Sequence, residues 1–95
     1  MNTFSVILLS NGSATGAVVK WPGGRGVLEV GGNFTGGGTV SLHGILPNGV
    51  FAALGPETTL TANGRGGFDI GPTDLKVVVT GTVASMYCTA SRVPS

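Results

Sequence analysis

The sequence predicts an all-β fold, an antiparallel β-sandwich of jelly-roll-like type with about eight short strands. Three observations predict it. Glycine occurs 18 times in 95 residues, where average usage of about 7% would give roughly six or seven, and no long stretch escapes both Gly and Pro, so helices of useful length are excluded. Between these breakers, apolar residues alternate with polar ones at the two-residue period of a strand with one buried face. The third is a turn. Residues 39–54, TVSLHGILPNGVFAAL, hold two such runs joined by Pro47-Asn48-Gly49. Pro47 pre-sets φ, Asn48 tolerates the bridge or left-handed region, and Gly49 supplies the positive φ of a short β-hairpin loop.

Each element follows from the same reading. Residues 3–10 form a first strand closed by Asn11-Gly12. Residues 15–21 form a second, ended by the tight loop Pro22-Gly23-Gly24-Arg25-Gly26. Residues 27–34 come next, with Leu28, Val30 and Phe34 inward and Glu29 outward. Gly36-Gly37-Gly38 leads into the central hairpin, whose first strand puts Val40, Leu42 and Leu46 on one face and Thr39, Ser41 and His43 on the other. Gly55-Pro56-Glu57 turns the chain towards a strand at 58–61, and Asn63-Gly64 towards one at 66–70 with Phe68 and Ile70 on one face. Residues 75–83 are the clearest strand: Leu75, Val77, Val79 and Val83 alternate with Lys76, Thr80 and Thr82, and Val78 is the one apolar residue on the outer face. A last strand, 85–92, brings Met86, Cys88 and Ala90 to one side. Nothing repeats strictly, so residues 1–95 read as a single domain, with 1–12 as an N-terminal arm or edge strand.

A chain this short buries only roughly 60 to 65% of the surface that it exposes unfolded, so its core needs reinforcement. Cys88 is the only cysteine and excludes an intrachain disulfide; His43 is the only histidine, and four scattered carboxylates make no metal-ligand spacing. No metal or other cofactor is expected, and association with other chains remains. Charged residues are 9% of the chain and the net charge is +1, against about 25% charged in an average domain, a surface that favours association. The basic residues are scattered and offset by acids, so nucleic acid is not an expected partner. Residues 4–9, FSVILL, are too short to span a bilayer and lack a basic region before them, so neither a membrane span nor a signal peptide is expected. Asn11-Gly12-Ser13 and Asn33-Phe34-Thr35 match the glycosylation sequon but read as turn chemistry.

Candidate sites are few. Gly23-Gly24-Arg25-Gly26 lacks the following helix and Lys-Ser/Thr of a phosphate cradle and reads as a turn, with Arg25 facing solvent or pairing with a neighbour. His43 could be combined with Asp69, Asp74 or Ser41 as a hydrolytic group, but no nucleophile elbow accompanies it, and Cys88 lies in an apolar strand as a small core residue. An enzyme is not expected. Trp21, Phe34, Phe51, Phe68 and Tyr87 could line a sugar platform, though aromatics in a small sandwich serve first as core. Trp21, beside Pro22 and a glycine loop, is the exception that could anchor an interface.

Several stretches resemble a known group. WPGGRG at 21–26, TVSL at 39–42, the Pro-Asn-Gly turn with its following Val-Phe, TANG at 61–64, LKVVVTGT at 75–82 and LLSNGSATGAVVKW at 8–21 resemble small virion proteins of tailed bacteriophages, over most of residues 8–92. Phe51 stands where that pattern has Trp, and Gly71-Pro72-Thr73-Asp74 replaces a Pro-Ala-Gly type turn. The resemblance implies a β-sandwich structural protein of the capsid decoration or cement type, made in the host cytoplasm and placed on the capsid surface. It implies a homotrimer whose partner is the major capsid protein and which bridges capsid subunits. Phe4, Ile7, Trp21 and Arg25 are the residues expected to touch neighbours, the first strand pairing with an open edge or lying on the shell. A neck, tail or fibre component is the alternative within that class. A carbohydrate-binding module is the alternative outside it, and would expose Trp21 and Phe51 together.

Overall fold

The computed structural model describes residues 5–93. Nine strands follow in chain order: β1 Ser5–Gly12, β2 Val19–Trp21, β3 Gly24–Asn33, β4 Thr39–Ile45, β5 Phe51–Ala53, β6 Thr59–Leu60, β7 Gly64–Ile70, β8 Thr73–Thr80 and β9 Ala84–Arg92. They build a four-stranded sheet in the order β1-β9-β3-β7 and a five-stranded sheet in the order β2-β8-β4-β5, with β6 beside β5 on the same edge of β4. All pairings between these strands are antiparallel.

The pairings are nested. β4 pairs with β5, β3 with β7, β2 with β8 and β1 with β9. That is one long antiparallel ribbon bent at the β4–β5 hairpin; rolling it up brings β3 against β9 and β4 against β8. The result is a jelly roll, as the sequence predicts. Its tip is the turn at Pro47-Asn48-Gly49. Gly49 takes φ 84°, its N–H donates to the Leu46 carbonyl at 2.9 Å, and Asn48 Oδ1 accepts from the Val50 N–H at 3.1 Å.

Between the sheets, alternation does what the sequence leads one to expect. Leu28, Met86, Cys88 and Ala90 from one sheet meet Val40, Leu42, Leu75 and Val77 from the other, all fully buried. The ladder is interrupted twice in β1, between Ile7 and Leu9 and between Ser10 and Gly12; the first bulge lets Leu8 be buried while Leu9 also packs against the core.

Five expectations need correcting. The strand expected at 75–83 runs instead from Thr73 to Thr80, because Gly81 turns the chain at φ 75°, and Val83 is buried beyond that turn. Leu46 is 46% exposed, because β4 ends at Ile45 and the hairpin turn begins at Leu46; Gly44 takes the inward position instead. Phe34 lies just past β3 and only partly buries against the core. The second strand is only Val19–Trp21; residues 13–18 run alongside β8 without joining it as a strand, held by Gly16 N–H to Val77 O at 3.0 Å and Val79 N–H to Thr15 Oγ1 at 3.1 Å. Pro56–Thr58 is a 3-10 turn, favoured by Pro at its start and by the Thr58 and Thr59 hydroxyls, which both donate to Gly55 O. Thr58 is buried there, at the side of the sandwich near β7.

Candidate interaction surfaces

The fold offers two broad outer faces. On the four-stranded sheet, strand register sets out rows of side chains. Arg25 on β3 lies opposite Asp69 on β7. The next row is Ser5, Ser91, Val27 and Gly67, with the Ser5 and Ser91 hydroxyls 3.2 Å apart. Then come Ile7, Thr89, Glu29 and Arg65, where Arg65 and Glu29 form an ion pair at 3.1 Å. Ser10, Tyr87 and Gly31 complete the face. Ile7 is 64% and Tyr87 53% exposed.

The five-stranded sheet presents a different chemistry. Lys20 of β2 pairs with Asp74 of β8 at 3.5 Å. Lys76 lies opposite His43 in the ladder and sits 4.4 Å from the centre of the Phe51 ring. Partial burial, and secondarily the Lys76 charge, hold the His43 pKa below its ordinary value. Of the residues that sequence could combine with His43, Ser41 and Asp74 share its outer face but bond elsewhere. Asp69 is on the opposite outer face, Asp74 is engaged with Lys20, and the Ser41 hydroxyl is 2.9 Å from that of Thr59. Burial pushes the Cys88 thiol up to about 11, so it stays protonated at neutral pH. Among the described residues no group of three or more His, Cys, Asp and Glu is placed to hold a metal ion, and no helix is long and apolar enough to cross a membrane.

The residues expected to touch neighbours are divided by the structure. Ile7 and Arg25 share the outer face of the four-stranded sheet, on β1 and β3 with β9 between them. Phe4 lies outside the described residues. Trp21 is not at the surface: it is 2% exposed, with its ring 5.0 Å from that of Phe68 and tilted by 56°. Its register opposite Thr73 turns it inward, and the following turn brings Gly26 beneath it, where an added Cβ would meet Trp21 Cη2 at 2.7 Å and Phe68 Cζ at 2.6 Å. The glycine run after Trp21 thus clears room for the indole. The turn expected at Gly23-Gly24-Arg25-Gly26 is shorter than that: only Pro22 and Gly23 lie between strands, and Gly24, Arg25 and Gly26 open β3, with Arg25 on the outer face. With Trp21 inside and Phe51 outside beneath Lys76, the two do not form the exposed pair that a sugar site would need.

Tyr87, one of the aromatics expected to serve first as core, is at the surface. Its signal was available, because it is out of phase with Met86, Cys88 and Ala90. The Asn33 sequon is an ordinary turn: Asn33 Oδ1 accepts from the Thr35 N–H at 2.9 Å and from its hydroxyl at 2.7 Å. At one end of the sandwich, a shallow, largely apolar groove of about 360 Å³ opens between the β4–β5 hairpin and the turn before β8, with Ile45, Leu54, Ile70 and Pro72 among its walls.

Architecture and surface together define a small jelly-roll sandwich whose broad features are sheet faces. The same fold occurs in the crystal structure of the SPBc2 prophage-derived protein YomS, which is similar with a TM-score of 0.74 and 14% sequence identity over 95% of this chain and 91% of that one. No family model matches the sequence, and no curated protein matches it significantly.

Proposed function

We propose that this protein is a non-enzymatic structural protein of a bacteriophage virion, a capsid decoration protein that stabilises the head by bridging subunits of the major capsid protein. The observation that carries the reading is the near end-to-end likeness to a prophage-derived jelly roll, with almost no unmatched chain on either side. The sequence resemblance to small phage virion proteins points the same way, and it rests on turn and strand motifs that the structure uses for packing and hairpins. Surface chemistry supports it too. A domain with 9% charged residues and two broad outer sheet faces is suited to covering a surface.

Co-sedimentation with expanded capsids that lack the protein tests this. Binding should saturate at a copy number set by icosahedral symmetry, and the loaded shells should resist heat better than bare ones, because a ligand that binds only the assembled state stabilises it. Failure to bind shells would overturn the decoration role, and binding to purified necks, tails or fibres instead would place the chain there.

A further inference from the structure

The two outer faces differ in a way that selects one of them for burial. Both lysines of the chain, Lys20 and Lys76, stand on the five-stranded face with His43. The four-stranded face has no lysine; its charges are Arg25, Asp69, Glu29 and Arg65, and its exposed large side chains are Ile7 and Tyr87. Interface cores are depleted in Lys and enriched in Arg, so the placement of the lysines favours the four-stranded face.

The placement of its four charges says what could cover it. Along β3 the order is Arg25, Val27, Glu29; along β7, opposite them, it is Asp69, Gly67, Arg65. Positive and negative therefore alternate both along and across the strands, a checkerboard with no net charge. A second copy, turned about a two-fold axis that lies across the strands at the Val27–Gly67 row, sets Arg25 over the partner's Glu29 and Asp69 over the partner's Arg65. Every charge then meets its opposite. We propose that the outer face of the four-stranded sheet is an isologous interface with a second copy of this chain, its register set by this checkerboard.

Rotation about that row superposes about seven residues each of β3 and β7 and about five of β9, which at about 4.8 Å between strands and about 3.3 Å per residue covers roughly 300 Å² per copy. The contact therefore belongs to the weak, transient class, and its specificity rests on the charges. The small residues of the axial row, Ser5, Ser91, Val27 and Gly67, let two sheets approach closely. The pair is two-fold, where the sequence resemblance implies a trimer, and it does not depend on the virion reading.

Sedimentation equilibrium of the purified full chain tests the proposal with two sets of charge swaps. The wild type should fit a monomer–dimer equilibrium. Exchanging Glu29 and Arg65 (Glu29→Arg with Arg65→Glu) keeps the pair within the chain but sets like charges against each other across the axis, and should weaken the dimer at least tenfold. Adding the second exchange (Arg25→Asp with Asp69→Arg) inverts the whole pattern, restores complementarity and should restore the dimer. Circular dichroism of each variant checks that the sandwich is intact; if the first swap fails to fold, Val27→Lys on the axial row, which sets two lysines against each other across the axis, replaces it, with the same loss expected. A monomer at all concentrations, a trimer, or a dimer indifferent to the swaps overturns the proposal.

Discussion

Trp21 shows how one side chain can account for a motif. The glycine at 26 has its place because the indole lies against it, and Phe68 completes the contact from the neighbouring strand β7. Truncating a buried aromatic removes its transfer energy and leaves a cavity, together typically about 3–5 kcal/mol. Trp21→Ala should therefore lose about that much in urea unfolding, a large share of the stability of a small domain. A loss below about 1 kcal/mol would mean that the indole is not packed as described. The Cys88 thiol is the opposite case: shut in the core and held protonated, it adds packing and no reactivity.

Among the elements, β1 has a role that sequence left open between arm and edge strand. It is paired with β9 almost throughout, from Ser5 opposite Ser91 to Gly12 opposite Met86, and it delivers Val6, Leu8 and Leu9 to the core. Fully burying such a side chain is worth about 1.5–3 kcal/mol; Leu8 is buried and Val6 and Leu9 partly so, and together they make a large share of the stability of a small domain. Deleting residues 1–10 should abolish the cooperative thermal transition and the β-type circular dichroism. A truncated protein that kept its fold and lost only capsid retention would show that the strand is a detachable docking arm. The hairpin β4–β5 was the most legible element, since Pro47-Asn48-Gly49 determines the turn locally. The strand expected at 58–61 was partly misread, because the 3-10 turn depends on hydroxyl bonds to Gly55 O that periodicity does not report.

The whole molecule is a ribbon whose ends meet. Residues at the two extremes of the described chain, Ser5 and Ser91, are neighbours in one sheet, so the last pairing closes nearly the entire chain as a loop. All-β domains ruled by such distant pairings fold in milliseconds to seconds, since loop closure is paid before the contacts reward it. Stopped-flow refolding followed by the single, buried Trp21 should fall in that range; complete recovery within about 100 microseconds would contradict the topology. At this scale local signals run out. Alternation located Leu28, Leu42, Val77 and Cys88 on inward faces, because each side chain's direction depends only on its own strand. It could not show that Arg25 faces Asp69, or that Glu29 faces Arg65, since those pairs depend on the register between strands about 36 to 44 residues apart in sequence. The misjudged Trp21 has the same origin: its exposure depended on which strand lay beside it.

By itself, then, the sequence determined an all-β domain, its turns, most of its inward faces and its want of charge, all of which follow from backbone preferences and a two-residue period. Tertiary structure alone decided which strands pair and in what order they lie in the two sheets, that Trp21 is core, and that four charges form a self-complementary pattern on one face, because each of these is a relation between strands that no single strand encodes.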